Sequence, residues 1–350
     1  MNDTFERTRD GDRQPDAVVT GAAGWLGRNL VPALAGTRNR IRCLARTDDE
    51  APLLELLDPS VEVIVGDVRD PVALDKLFDD LSAPTVFHAA AVIHPTALTR
   101  EFFDVNVGGT ELALDRARRA GTGRFLHVSS NSPFGANPTP RDRFTEDSPY
   151  NPYMGYGQSK MEAELLVKQS HERGDVSAVI LRAPWFYGPE QPARQTQFLS
   201  AVRRGRFPQV GDGTQQRSMV FTANLVHGLL RAEQAAAAPG NAYWIADAEP
   251  YELRTILDTV RDALEAEGLE VTRRQLRIPR FTAVVAERVD GFLQQRGRYM
   301  QPMHVLGELK DTIACDISRA RTEIGYDPPV ALLEGMRISV RWCLEHGERL

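Results

Sequence analysis

The first half of the chain alternates two hydrophobic periodicities. Short apolar runs at Ala17–Thr20, Ile41–Ala45, Val61–Val65, 85–90, 124–129 and 177–183 read as strands. Between them, Trp25–Leu34, 102–120 and 156–173 carry apolar residues at helical spacing. Such alternation predicts a doubly wound α/β fold around a parallel sheet. Beyond Pro184 the rhythm weakens. Helices are expected at 195–204 and 224–238, the latter stopped by Pro239-Gly240, with extended segments at 218–222 and 242–245. A last amphipathic stretch, 281–295, carries Glu287, Arg288 and Asp290 on its polar side. That mixed charge favours a helix covering a core over one lying on a membrane.

Length divides the pattern. The 350 residues suggest about two units: a dinucleotide-binding domain over 16–190, joined by part of 215–250, and a substrate lobe built mainly from 191–350. Residues 1–15 mix acids and arginines without an apolar segment, and read as a disordered tail, not a secretory signal. The charge-free stretch 81–99 is broken by Pro84 and Pro95, so it reads as strand and loop, not a membrane span. Forty-two Lys and Arg against 48 Asp and Glu give a net charge of −6, which argues against a nucleic-acid partner. The scattered Cys43, Cys315 and Cys343 form neither a disulfide framework nor a metal site, and fit a cytoplasmic location.

Chemistry enters at the first strand–helix junction, Thr20-Gly21-Ala22-Ala23-Gly24-Trp25-Leu26-Gly27. Gly21 permits a tight turn, Gly24 close approach of backbone to a pyrophosphate, and Gly27 close helix–strand packing. The following helix offers unpaired N–H groups to the anion. A second anchor is Tyr156-Gly157-Gln158-Ser159-Lys160. On a helix, i and i+4 share a face, so Tyr156 and Lys160 reach a common ligand. A nearby ammonium would lower the phenol's pKa and equip Tyr156 to exchange a proton with a carbonyl or alcohol oxygen.

The glycine spacing resembles the short-chain dehydrogenase/reductase superfamily. Four further segments resemble its extended branch: Gly66-Asp67-Val68, His88-Ala89-Ala90-Ala91, Asn106-Val107-Gly108-Gly109-Thr110, and Arg182-Ala183-Pro184-Trp185-Phe186-Tyr187-Gly188-Pro189. The resemblance spans roughly residues 16 to 345. It implies that Asp67 and Val68 contact the adenine, and that Ala23, Trp25, Leu26, Ala89, Ala90, Pro184 and Phe186 line the dinucleotide. It assigns catalysis to Ser130, Tyr156 and Lys160, with Ser129 and Ser132 as rivals to Ser130 and Asn106 holding a water for proton relay. No metal is implied. Many relatives dimerise through the helices of the Asn106 and Tyr156 motifs, which makes Leu112, Met161 and Leu165 candidate contacts of a homodimer.

Cofactor choice turns on the end of the second strand, Leu44-Ala45-Arg46-Thr47, where Ala45 occupies the usual acidic position. Arg46 would pair with a 2′-phosphate, so NADP is expected ahead of NAD, although Asp48 and Asp49 follow closely. Three readings of the reaction compete. A non-catalytic sensor fits poorly, because Tyr156 and Lys160 are both present. A dehydratase wants acids after the catalytic serine, where Asn131, Ser132, Pro133 and Phe134 stand. A nucleotide-sugar epimerase is favoured by Arg217 in Gln216-Arg217-Ser218, which resembles a diphosphate-gripping segment, and disfavoured by the missing Arg-Pro-Gly-Asp clamp near residue 310. The C-terminal region is more similar to the 3β-hydroxysteroid dehydrogenase and dihydroflavonol reductase group. That implies an oxidoreductase acting on a bulky carbonyl or alcohol. Asn131, Trp185, Phe186 and the apolar face of 281–292 would then line its small-molecule pocket.

Overall fold

The computed structural model describes residues 14–95 and 98–350. Seven parallel strands form the main sheet: β1 (Ala17–Thr20), β2 (Ile41–Ala45), β3 (Val61–Val65), β4 (Thr85–His88), β5 (Arg124–Ser130), β6 (Ala178–Ala183) and β7 (Ala242–Trp244). Their order is β7-β6-β5-β4-β1-β2-β3, so the direction of winding reverses between β1 and β4. Ligands bind at such a reversal, beyond the carboxyl ends of the strands.

Side-chain alternation along each strand feeds two cores. Val19, Leu126, Val179 and Leu181 face α1 (Trp25–Leu34) and the helix Thr222–Gln234. Val18, Phe125, Ala178 and Ile180 face the helices Pro71–Phe78 and Gly109–Arg119. Asp70 starts the helix Pro71–Phe78 by accepting a hydrogen bond from the Val72 amide, with Pro71 already in place at the first turn. A third core gathers Phe198, Leu199, Val210, Leu253, Ile256, Val260, Met336 and Val340. The backbone returns from it twice: Val220 and β7 rejoin the first part of the molecule, as do Ile313, Cys315, Ile317 and Tyr326, while Met219 and Phe221 on the other face of their strand stay in the third core.

Several expectations need adjusting. The expected tail lies outside the described residues through Arg13, and Gln14, within its expected bounds, bridges Arg38. The helix expected over 102–120 is interrupted: Arg100–Phe103 passes through a π-helical turn, Asp104–Gly108, into Gly109–Arg119. Such turns concentrate at functional sites, and this one contains Asn106. The largest correction concerns the helix Arg280–Gln295. Its buried residues are Ala283, Ala286, Asp290, Gly291 and Gln294, whereas Phe281 and Phe292 are 68% and 54% exposed. Its aromatic side chains therefore face away from the protein and line no pocket. Among the described residues, no helix is long and apolar enough to cross a membrane, and no group of His, Cys, Asp or Glu could hold a metal ion.

Candidate active site

The glycine turn is built as its chemistry requires. Gly21 has φ +69°, and a β-carbon there would lie 2.7 Å from the Ala89 backbone at the end of β4. At Gly27 an added β-carbon would sit 2.2 Å from the Ala22 carbonyl oxygen, so the first turn of α1 packs directly on the loop. Gly24 caps α1 without a side chain. The helix N-terminus therefore keeps unpaired N–H groups for an anion, and the residues present fit a dinucleotide pyrophosphate. Thr20 ties the loop to β4: its hydroxyl bonds His88 Nδ1 at 2.8 Å and receives the Ala90 amide at 3.3 Å.

Trp25 extends from this turn to the segment after β6. Its indole N–H donates to the Pro189 carbonyl at 2.7 Å, and its ring lies 5.9 Å from that of Phe186. Leu26 is buried under the turn and Ala23 partly exposed on it. Pro184 is buried directly after β6. Arg194, which the sequence reading passed over, lies with its guanidinium 5.9 Å from the Trp25 ring centre.

At the far ends of β2 and β3 stand the residues expected at the adenosine. Arg46 is exposed and loosely paired with Glu50 at 3.5 Å. Asp67 is gripped by its neighbour, taking the Arg69 Nε and Nη2 at 2.8 and 2.6 Å. That hydrogen bonding outweighs partial burial and holds the Asp67 carboxyl below its usual range. Val68 is buried against Gly109, closing the floor.

Tyr156, Lys160 and Ser130 converge as expected, with one difference. Tyr156 and Lys160 lie on the helix Met154–Glu172, and Ser130 ends β5. The Ser130 and Ser132 hydroxyls are 2.6 Å apart and both reach the Tyr156 phenol. Ser129, on the opposite face of the strand, is buried. Lys160, however, turns toward β5: its Nζ donates to the Val128 carbonyl at 2.9 Å and faces His127 Nε2 at 3.3 Å. Burial lowers this ammonium to about 8, with Glu164 opposing. The Tyr156 phenol is pushed up by burial, against the Ser130 hydrogen bond and the Arg194 charge. The expected lowering by Lys160 is thus absent from this geometry, because desolvation dominates and the ammonium is occupied below.

Beneath Lys160 lies a neutral imidazole pair. The His127 and His88 rings stack 5.5 Å apart, and burial followed by the Lys160 charge drives both far down, His88 to about 3. Asn106 braces the same region. Its amide exchanges bonds with the Val92 backbone at 2.7 and 3.0 Å and donates to Ser159 Oγ at 3.0 Å. It thereby fixes the loop after β4 to the Tyr156 helix across the π-turn.

Asn131, Ser132, Tyr153, Tyr156, His304 and Glu308 enclose a small cavity at the phenol. His304 comes from the helix Gln301–Glu308, roughly a hundred and fifty positions from Tyr156, so no local spacing could have singled it out. Its Nδ1 bonds the fully buried Asp290 carboxylate at 2.9 Å. Burial opposes protonation of His304, but Asp290 and Glu308 outweigh it and raise its pKa. Tyr299 packs behind His304, with ring centres 5.6 Å apart and its phenol oxygen 2.6 Å from the His94 ring. Two expected substrate contacts are absent from the cavity lining. Trp185 packs edge-on against Phe198 in the third core, and Arg217 is buried with its guanidinium on the Glu308 carbonyl.

Comparison with known proteins agrees with this geometry. Residues 17–246 match the NAD dependent epimerase/dehydratase family. The chain is 39% identical over 346 residues to the uncharacterized protein y4nL of Sinorhizobium fredii, covering 95% of this chain and 96% of that one. It is 30% identical to the 4-hydroxy-2-methyl-3-oxo-4-farnesyl-3,4-dihydroquinoline-1-oxide ketoreductase of Stigmatella aurantiaca, with 91% and 93% covered. A 3 beta-hydroxysteroid dehydrogenase/Delta 5-->4-isomerase of Mycobacterium tuberculosis is also 30% identical, with 89% and 85% covered. In fold, the chain superposes on the Bacillus cereus UDP-glucuronic acid 4-epimerase in complex with NAD, with a TM-score of 0.73 at 21% identity, covering 95% and 99%. The glycine cradle, the Ser130–Tyr156–Lys160 cluster and these relatives together make this chain an oxidoreductase of the NAD-dependent epimerase/dehydratase family, an enzyme of the extended short-chain dehydrogenase/reductase type.

Proposed function

We propose that the protein is an NADP-dependent reductase, or the reverse dehydrogenase, for a bulky and largely apolar carbonyl or alcohol. The observation that carries this reading is the condition of Arg217. Arg217, the arginine whose sequence context resembles a diphosphate grip, is buried and donates to the Glu308 carbonyl. A nucleotide-sugar substrate would have to displace it. The sequence Asn131, Ser132, Pro133, Phe134 supplies no acid to expel water from a sugar, which tells against dehydration. Tyr153 lines the cavity beside Tyr156, an aromatic face suited to a ring system. The ketoreductase and steroid dehydrogenase relatives support the same substrate class.

Each residue has a defined task. Gly21, Gly24 and the start of α1 hold the pyrophosphate, and Arg46, exposed with only a loose partner, takes the 2′-phosphate. When bound, the nicotinamide supplies or accepts the hydride. Ser130 donates a hydrogen bond to the reacting oxygen, aligning it with Tyr156. The Tyr156 phenol gives that oxygen its proton in reduction and removes it in oxidation. Lys160, titrating near 8 and held by Val128 and His127, is the adjacent proton reservoir. Asn106 positions the Tyr156 helix.

The test begins with the purified protein, denatured to identify any released nucleotide, followed by NADPH oxidation assays with bulky cyclic ketones. Turnover by wild type, and its collapse by orders of magnitude in Tyr156→Phe with NADPH binding retained, is the expected result. Retained NAD, together with interconversion of a UDP-sugar and no ketone turnover, would replace this reading by the epimerase.

A further inference from the structure

The helix Arg280–Gln295 packs behind the His304 side of the Tyr156 cavity, through Asp290, and its amphipathicity is inverted. Phe281, Val285, Val289 and Phe292 follow at i, i+4, i+8 and i+11, which places them on one face. That face is the outer one: the four are 68%, 54%, 41% and 54% exposed. Leu276 before the helix, and Leu98 and Met300 beyond its far end, continue the apolar ridge at 45%, 61% and 46%. Leu98 joins it through a bridge to Arg298.

The inner face explains the inversion. Close packing there selects small residues, since a β-carbon at Gly291 would lie 3.1 Å from the Met154 side chain and one at Gly307 would lie 3.1 Å from Glu287. Asp290 is committed to His304, and Glu287 pairs with Lys310 at 3.2 Å. Polar and small side chains are thus used inside, and the large apolar ones are left outside. Patches of this kind mark interaction surfaces.

Charge identifies the occupant. In sequence this helix carries mixed charge, which argued against a membrane. In the structure both acids turn inward, and the exposed charges along the ridge are Arg274, Arg277, Arg280, Arg288, Arg296 and Arg298. Arg277, Arg288 and Arg296 have no acidic partner among the described residues, and Arg296 stacks on Phe292 with its guanidinium 3.5 Å from the ring centre. A chain of net charge −6 therefore concentrates unpaired arginines around one apolar ridge. Two copies meeting through this face would set arginine against arginine, which disfavours self-association. Phenylalanines flanked by arginines fit a bilayer surface, with rings at the acyl boundary and guanidinium groups among phosphates.

We propose that the outer face of Arg280–Gln295 docks flat on an anionic lipid bilayer. The helix spans about 24 Å at 1.5 Å per residue, long enough to lie along the surface and too short to cross it. Docking brings the helix that supports His304 to the lipid, the phase where apolar carbonyl compounds collect.

Flotation of the full-length protein with vesicles tests this without turnover, so its failure and failure of the reductase reading are separate events. Vesicles of phosphatidylcholine mixed with phosphatidylglycerol should bind the protein at least about tenfold more strongly than phosphatidylcholine alone, and salt should weaken the binding. Two variants change exposed residues only: Phe281→Ser/Phe292→Ser, and Arg277→Gln/Arg288→Gln/Arg296→Gln. With wild-type circular dichroism and melting, either should lose roughly tenfold or more of the anionic-vesicle binding. If the phenylalanine variant misfolds, the arginine variant alone decides. Absence of flotation at low salt, equal binding to neutral vesicles, or unchanged binding by the folded variants overturns the proposal. So does binding to polyglutamate without binding to vesicles, which would assign the face to an acidic protein. A wild-type dimer dissociated by the phenylalanine substitutions, with no vesicle binding, would assign it to a second copy.

Discussion

Glu164→Gln tests whether the buried charge beneath the active site behaves as the structure requires. Glu164 and Arg182 are 0% and 1% exposed, and their carboxylate and guanidinium meet at 2.9 Å, joining the Tyr156 helix to β6. Tyr150 donates a second bond to the same carboxylate oxygen at 2.7 Å, and Arg182 also lies over the Phe134 ring. Glutamine keeps the shape but leaves the Arg182 charge buried without a counter-ion. Removing one member of such a pair costs about 3–5 kcal/mol. For 350 residues, an unfolding entropy of roughly 2.1 cal/mol/K per residue sums to about 0.7 kcal/mol/K. The expected fall in Tm is therefore about 4–7 °C, read by calorimetry and checked by urea unfolding. Lys160 sits one turn earlier and is supported by the Glu164 charge, so its titration near 8 should move lower. The double variant Glu164→Leu/Arg182→Met should recover most of the loss, because desolvation disappears with both charges. A Tm within about 1 °C of wild type, or a double variant less stable than the single, would refute the reasoning.

Other predictions follow from the same geometry. Arg46→Ala should weaken NADPH binding by roughly tenfold or more while leaving NADH nearly unchanged, as measured by fluorescence titration; equal losses would detach Arg46 from the 2′-phosphate. Gly27→Ala forces a β-carbon onto the Ala22 carbonyl and should cost about 1–3 kcal/mol together with nucleotide affinity, tested by melting with and without NADPH. Asp247 is raised by burial to about 6, against hydrogen bonds from Tyr187, Phe221 and Asn224. Its folded pKa exceeds the unfolded one, so its contribution is complete below about 4 and declines as pH rises through about 6; Asp247→Asn should flatten stability across that window. His304, raised by Asp290 and Glu308 against burial, should show its nuclear magnetic resonance titration above the ordinary histidine range, and Asp290→Asn should lower it.

Much of the cofactor half was legible because its signals are local. The turn from Thr20 to Gly27 and the strand–helix alternation need only neighbours in sequence, and the predicted strands agree with the structure to within a residue or two at their ends. The π-turn at Asn106 was not legible, since helical spacing is the same on either side of one inserted residue. The second half resisted for a different reason. His304, Asp290 and Glu308 reach Tyr156 only through tertiary packing, and nothing in their spacing points to a phenol far upstream. Arg217 carried a family-like context, yet its fate was set by the Glu308 carbonyl. The helix Arg280–Gln295 shows how periodicity identifies a helix and its stripe without saying which side faces the protein.

The repeated return of the backbone between cores limits how this enzyme can be taken apart. After its first excursion, through Phe198 and Val210, the chain comes back at Val220 and β7. After the second, through Leu253–Ala266, it comes back at Ile313–Tyr326 before ending in the third core. No single cut therefore frees either lobe. A fragment ending at residue 246, where the family match stops, would uncover the apolar face that Ile313, Ile317 and Tyr326 close. Exchanging substrate lobes between relatives would require three matched segments to be replaced together, so new specificity in this architecture is more accessible by local substitution than by recombination of modules.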